Sequence, residues 1–121
     1  MSHRPVPLIT LAPEWVKYDR RGEIVHWRIV DRIVDADGVS FKCPKCWQNL
    51  GGPIGTHRVT VWRTDRVPDE VQPAPGRWEF AGSDFDDLTL IARTSAYVLG
   101  AGCGWTGFVR SGVVTDATAA P

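Results

Sequence analysis

The sequence predicts a mostly β, small single-domain antiparallel fold with extended termini. Three observations carry this. Six Trp, twelve Gly and nine Pro among 121 residues, with many Val, Ile and Thr, favour strands joined by tight turns over packed helices. Short apolar runs recur between turn signals along the whole chain. The length lies inside the usual range for one domain and buries a real core, with roughly two-thirds of the unfolded surface removed.

Taken in order, the first thirteen residues carry Pro5, Pro7 and Pro13 around Leu8-Ile9-Thr10-Leu11. That pattern predicts an extended Pro-rich arm over residues 1–20, lying on the domain or on a partner. Residues 24–34 are rich in Ile and Val. Trp27, Val30, Ile33 and Val34 also fit helical spacing, but the β-branched content favours a strand. Asp35-Ala36-Asp37-Gly38 is a turn signal, and Val39-Ser40-Phe41-Lys42-Cys43 completes a predicted β-hairpin.

A Gly-rich loop, Gly51-Gly52-Pro53-Ile54-Gly55, then leads into residues 57–63, whose alternation is that of a half-buried strand with His57, Val59 and Val61 on one face. A Pro-rich connection over residues 68–75 precedes Trp78-Glu79-Phe80, an acidic turn at residues 84–87, and short strands at 88–92 and 96–99. Residues 105–110 form the last expected strand. The domain is thus expected over residues 21–114, followed by a small, polar, fraying tail at 115–121.

Composition excludes several classes. Fourteen Lys and Arg balance fourteen Asp and Glu, so no global basic field draws nucleic acid. No apolar run approaches the roughly 18 residues of a membrane span, and the N-terminus lacks the apolar core of a signal peptide. A membrane partner is therefore not expected. No Ser-His-Asp, phosphate-loop or His-Glu-x-x-His pattern occurs.

Three cysteines cannot all pair within one chain, and a reducing compartment fits them best. Cys43-Pro44-Lys45-Cys46 has the spacing that lets two sulfurs converge on one ion, and the Lys45 charge favours thiolate. A thioredoxin-like redox pair would need a βαβ setting, and the sequence offers no helix to supply it. Cys103, within Gly100-Ala101-Gly102-Cys103-Gly104, is the remaining cysteine, set among glycines that allow tight bending around an ion. For a fourth position His3, His26 and His57 compete, and His57 leads because it follows the knuckle by one loop and points inward. The expected site is a zinc-ribbon-like Zn2+ centre of Cys43, Cys46, His57 and Cys103. The bland alternatives are a small buried hydrophobe for Cys103 and a satisfied core histidine for His57.

These residues resemble a family of small zinc-ribbon-like proteins of unassigned function encoded by tailed phages and prophages. The resemblance runs from Phe41 to about Val114 and rests on Cys43-Pro44-Lys45-Cys46, His57, Trp78-Glu79-Phe80-Ala81-Gly82, Leu88-Thr89-Leu90, Cys103, and residues 107–113. It implies a phage origin and a compact β fold around one metal, and brings no known reaction. The chain departs from the pattern at Gly104, where His is usual, in a longer loop before His57, and around Arg93-Thr94, where Pro-Ser is expected.

Three thiolates and a closed fourth position quench zinc's Lewis acidity, so enzymatic activity is not expected; Asp84, Asp86 and Asp87 are better explained as a solvated turn than as a general base. The leading expectation is a zinc-stabilised structural or interaction protein, in the virion or the host cytoplasm, engaging phage virion proteins and open to oligomerisation. Trp15, Trp27, Trp47, Trp62, Trp78 and Trp105 exceed the needs of one small core, which leaves some for an interface. The alternative is nucleic-acid binding through Arg58, Arg63, Arg66 and Arg77 interleaved with Trp62 and Trp78.

Overall fold

The fold is known from a computed structural model that describes residues 5–21, 24–52, 54–64, 66–68, 77–92, 98–99 and 105–116. Within them lie ten strands and one α-helix, and every strand pair is antiparallel. The predicted fold class is the observed one.

The chain opens on β1 (Val6–Pro7) and a 3-10 turn (Leu8–Leu11). It continues into a long hairpin, β2 (Glu14–Arg21) and β3 (Ile24–Val30). A 3-10 turn (Ile33–Asp35) crosses to β4 (Gly38–Lys42), which runs into helix α1 (Pro44–Leu50) and returns as β5 (Arg58–Trp62). Then come β6 (Trp78–Ala81), a 3-10 turn (Phe85–Asp87), β7 (Thr89–Ala92), β8 (Val98–Leu99), β9 (Thr106–Arg110) and β10 (Val113–Asp116). Three sheets result, with orders β3-β2-β4-β5, β1-β10-β9-β8 and β6-β7.

One apolar core joins all three. Trp15, Val39, Phe41, Val59 and Val61 of the first sheet pack with Val109 and Val114 of the second, with Trp105 just before β9, and with Trp78 and Leu88 from the third sheet and its flank. Trp15 stacks on Phe85 at 4.3 Å, and Phe41 meets Trp105 edge-on at 6.4 Å. Such aromatic pairs add about 0.5–1.5 kcal/mol each beyond their buried area.

The architecture corrects four expectations. From Pro5 onward the predicted arm is part of the fold: Leu8 and Leu11 are fully buried and Trp15 and Val16 nearly so, and the boundary at residue 20 falls inside β2. The prolines suggested a detached segment, yet Pro7 sits on an edge strand where its missing N–H costs no ladder bond.

The hairpin expected between residues 24–34 and 39–43 is a different pairing. The first limb is indeed a strand, but β3 pairs with β2 from Trp15↔Val30 to Arg21↔Ile24, and β4 lies on the other side of β2. The Asp35 to Gly38 signal marks a crossover between non-adjacent strands. Asp37 fixes it: its carboxylate accepts from the Tyr18 amide at 3.0 Å and its carbonyl from the Arg63 amide at 2.7 Å.

The helix α1 went unforeseen because seven residues are too few to display a 3.6-residue period. Local signals suffice to build it, with Pro44 at its first turn and Gly51 in the left-handed region at φ 73° closing it. Lastly, β10 occupies part of the expected tail. Ser111 and Gly112 both have positive φ, 49° and 76°, the two-residue pattern that turns β9 into β10. Residues 117–121 of the expected tail, and most of the Pro-rich connection, lie outside the described residues.

Candidate metal centre

The site grows from the β4–α1–β5 unit. In the antiparallel register of these strands Phe41 faces Val59 and Lys42 faces Arg58. One step further, Cys43 donates its amide to the His57 carbonyl at 2.9 Å. Residues opposite one another on antiparallel strands share a face with Cβ atoms about 5 Å apart, so the ladder itself brings Cys43 to His57. Cys43 then caps α1, and the Trp47 amide reaches back to the Cys43 carbonyl at 2.9 Å. Three residues along a helix return to the same face, which is how Cys46 joins Cys43.

The connecting loop is held on both sides. The Gly52 amide donates to the Trp47 carbonyl at 2.9 Å, the Thr56 hydroxyl to the Gly52 carbonyl at 2.8 Å, and the Lys42 ammonium to the Thr56 carbonyl at 3.4 Å. Beyond the site, Arg58 ties β5 to β4 and to the N-terminal segment through the Ser40 hydroxyl, the Ser40 and Ala12 carbonyls, and Glu14 at 3.2 Å. His57 is therefore set by backbone pairing, by Arg58 beside it, and by a pinned loop before it.

The ligand atoms of Cys43, Cys46 and His57 all lie within 4.8 Å of one another. A tetrahedral ion with bonds of about 2.0–2.3 Å holds its donors roughly 3.5 Å apart, so side-chain adjustment of about an ångström closes the set. Cys43 is fully buried, and Cys46 and His57 are half-buried. The two cysteines are thiols with no disulfide between them. These three residues lie close enough to bind a metal ion.

The remaining sequence candidates are Cys103, His3, His26 and the aspartates of the acidic turn. Cys103 and His3 lie outside the described residues. His26 is exposed on β3, at the opposite end of the sheet from β5. Asp84, Asp86 and Asp87 form a self-contained turn: the Asp87 carboxylate accepts from the Ser83 and Asp84 amides at 2.8 Å and the Ser83 hydroxyl at 2.9 Å. The amide bonds from Asp84 and Ser83 hold the Asp87 carboxyl below its ordinary value, the opposite of the tuning a general base needs.

Sequence reasoning missed Asp37 and Arg58 as organisers of the site's surroundings. Their signal was faint, an acid before Gly38 and a base beside His57, and only the strand order shows what each one reaches. No family model, no curated protein and no solved structure matches the chain. The metal reading accordingly stands on the donor set and its geometry.

Proposed function

We propose that this chain is a non-enzymatic, zinc-clamped β domain of a tailed phage that serves as a structural or interaction module for virion proteins. The single observation behind it is the convergence of Cys43, Cys46 and His57 within 4.8 Å. Two thiolates and an imidazole are soft donors that suit zinc over magnesium or calcium. Cys103 is the proposed fourth ligand. In its favour, Trp105, two residues later, is buried against Phe41, two residues before Cys43. Ligation there would link the strand ladder, α1 and the 103–105 segment, adding a metal clamp to the backbone bonds Thr64 to Trp78 and Gly112 to Leu88 that already join the sheets.

Four ligands with three thiolates leave no open position for water, and the aspartates nearest to a general-base pattern are consumed in a turn. The phage origin and the virion partners rest on the sequence resemblance. The nucleic-acid alternative is weakened by the fate of its residues. Arg58 is bound to Glu14, Arg63 to the Ile33 carbonyl and over the Phe80 ring, Arg66 to Asp37, and Arg77 to the Val67 and Pro68 carbonyls. Trp62 and Trp78 are buried and present no face for base stacking.

The test is cobalt substitution with light scattering. Thiolate-to-cobalt charge-transfer absorption that drops in Cys43→Ser, Cys46→Ser and Cys103→Ser supports the ligand set, and unchanged absorption in Cys103→Ser removes that residue. Co-elution of the purified chain with virion proteins supports the interaction role; a chain that binds none of them, and is missing from purified particles by mass spectrometry, removes it.

A further inference from the structure

The strand at the far edge of the central sheet, β3, carries a surface that the metal site leaves unexplained. It pairs with β2 over seven positions and ends the sheet, with no strand beyond it among the described residues. Edge strands are normally blunted by Pro, by charged side chains, Lys above all, or by a bulge, and Arg28 is the one such charge on β3. Ile24-Val25-His26-Trp27-Arg28-Ile29-Val30 contains no Pro and no Lys, and its pairing with β2 is continuous. Two large apolar side chains on one face of it, Trp27 and Ile29, are 60% and 63% exposed.

That face is rigid. Trp27 meets the buried Trp62 edge-on at 6.4 Å, Tyr18 meets the same ring at 6.3 Å, and Ile29 stands opposite the buried Val16. An exposed Trp supported from below by fixed aromatics is the usual form of an interface anchor.

We propose that two copies of this chain join β3 to β3 antiparallel, about a two-fold axis at Trp27, to make one continuous eight-stranded sheet from two four-stranded ones. The strand is self-complementary in that register. Trp27 meets its own copy, Ile29 stands opposite Val25, Val30 opposite Ile24, and Arg28 opposite His26. A two-fold axis normal to the sheet keeps facing residues on the same side, so the register changes only in steps of two. One step sets Arg28 on Arg28, which is repulsive, and the other sets His26 on His26 and leaves Ile29 without an apolar partner. A chain of zero formal net charge adds no long-range repulsion to the approach.

The test is sedimentation of the metal-loaded full chain over the micromolar to near-millimolar range, with hydrogen exchange at both ends of that range. The expected result is a concentration-dependent monomer–dimer equilibrium in which amides of β3 exchange more slowly as concentration rises. Trp27→Asp combined with Ile29→Lys should raise the dissociation constant by at least about thirtyfold, with wild-type circular dichroism and metal content. A monomer throughout the range overturns the proposal. So does a dimer that persists in the double variant, or one in which β3 exchange ignores concentration; the exchange readout decides even if the variant folds poorly.

Discussion

At one end of the central sheet, Val59, Val61 and Trp62 of β5 are almost inaccessible to water and His57 lies against Cys43 and Cys46. At the other end, β3 leaves Trp27 and Ile29 more than half exposed. Both are strands of one antiparallel sheet with similar β-branched and aromatic content. What separates them is their surroundings. Beside β5, Arg63 bridges to Trp78 and so carries the chain on to the β6-β7 sheet, while Trp27 of β3 lies against Trp62 in the small second cluster of Val16, Trp62 and Val67 with Tyr18. Apolar side chains stabilise where other sheets cover them; where the described residues leave them open, they are available to a partner.

That contrast is open to attack in order of expected effect. Cys46→Ser, at the covered end, should cost more than about 4 kcal/mol in chemical denaturation, because the binding energy of the proposed metal would be folding energy. Gly38→Ala comes next. A Cβ at Gly38 would sit 2.6 Å from Trp62 Cε3 and 2.7 Å from the Val61 carbonyl oxygen, and such crowding in a packed region costs about 1–3 kcal/mol; metal content should stay at the wild-type level.

Between the two ends, Asp37 joins β2 to the crossover and also lies 3.5 Å from Arg66 and 3.8 Å from Lys17. Asp37→Ala takes the acceptor from the half-buried Tyr18 amide, at about 1 kcal/mol in the same assay. At the open end, Trp27→Ser should cost the monomer only about 0.5–1.5 kcal/mol, the worth of its edge-on contact with Trp62, measured at low concentration. A large loss there would mean that β3 is structural after all.

The smallest effect lies off the sheet. Because hydrogen bonding lowers the Asp87 carboxyl below its ordinary value of 3.8, its contribution to stability is present above that value and is lost as pH falls through the lower folded one. Asp87→Asn should flatten the acid limb of a melting-temperature profile slightly, and an unchanged profile would assign the turn's stability to its backbone alone.

How much of this was legible in the sequence differs by element. Residues 57–63 alternate cleanly, and β5 follows them closely because one face is buried and the period of two is enforced. The knuckle spacing and the inward phase of His57 were equally visible, being local. Strand order was not: β4 lies between β2 and β5, and no local pattern says that residues 14–21 supply the middle of the sheet. The prolines at 5, 7 and 13 pointed away from burial, while the decisive fact was where Leu8, Leu11 and Trp15 could pack. Which tryptophan stays outside was likewise a property of topology, since Trp15, Trp62, Trp78 and Trp105 are buried and Trp27 is not.

The central claim is that a metal holds the covered end together, and the direct measurement is metal content with thermal unfolding before and after chelation. The account predicts about one zinc per chain and a melting temperature that falls by more than about 10 °C when the zinc is removed. A reduced, metal-free chain with the same fold and the same melting temperature, unmoved by added zinc, would contradict it.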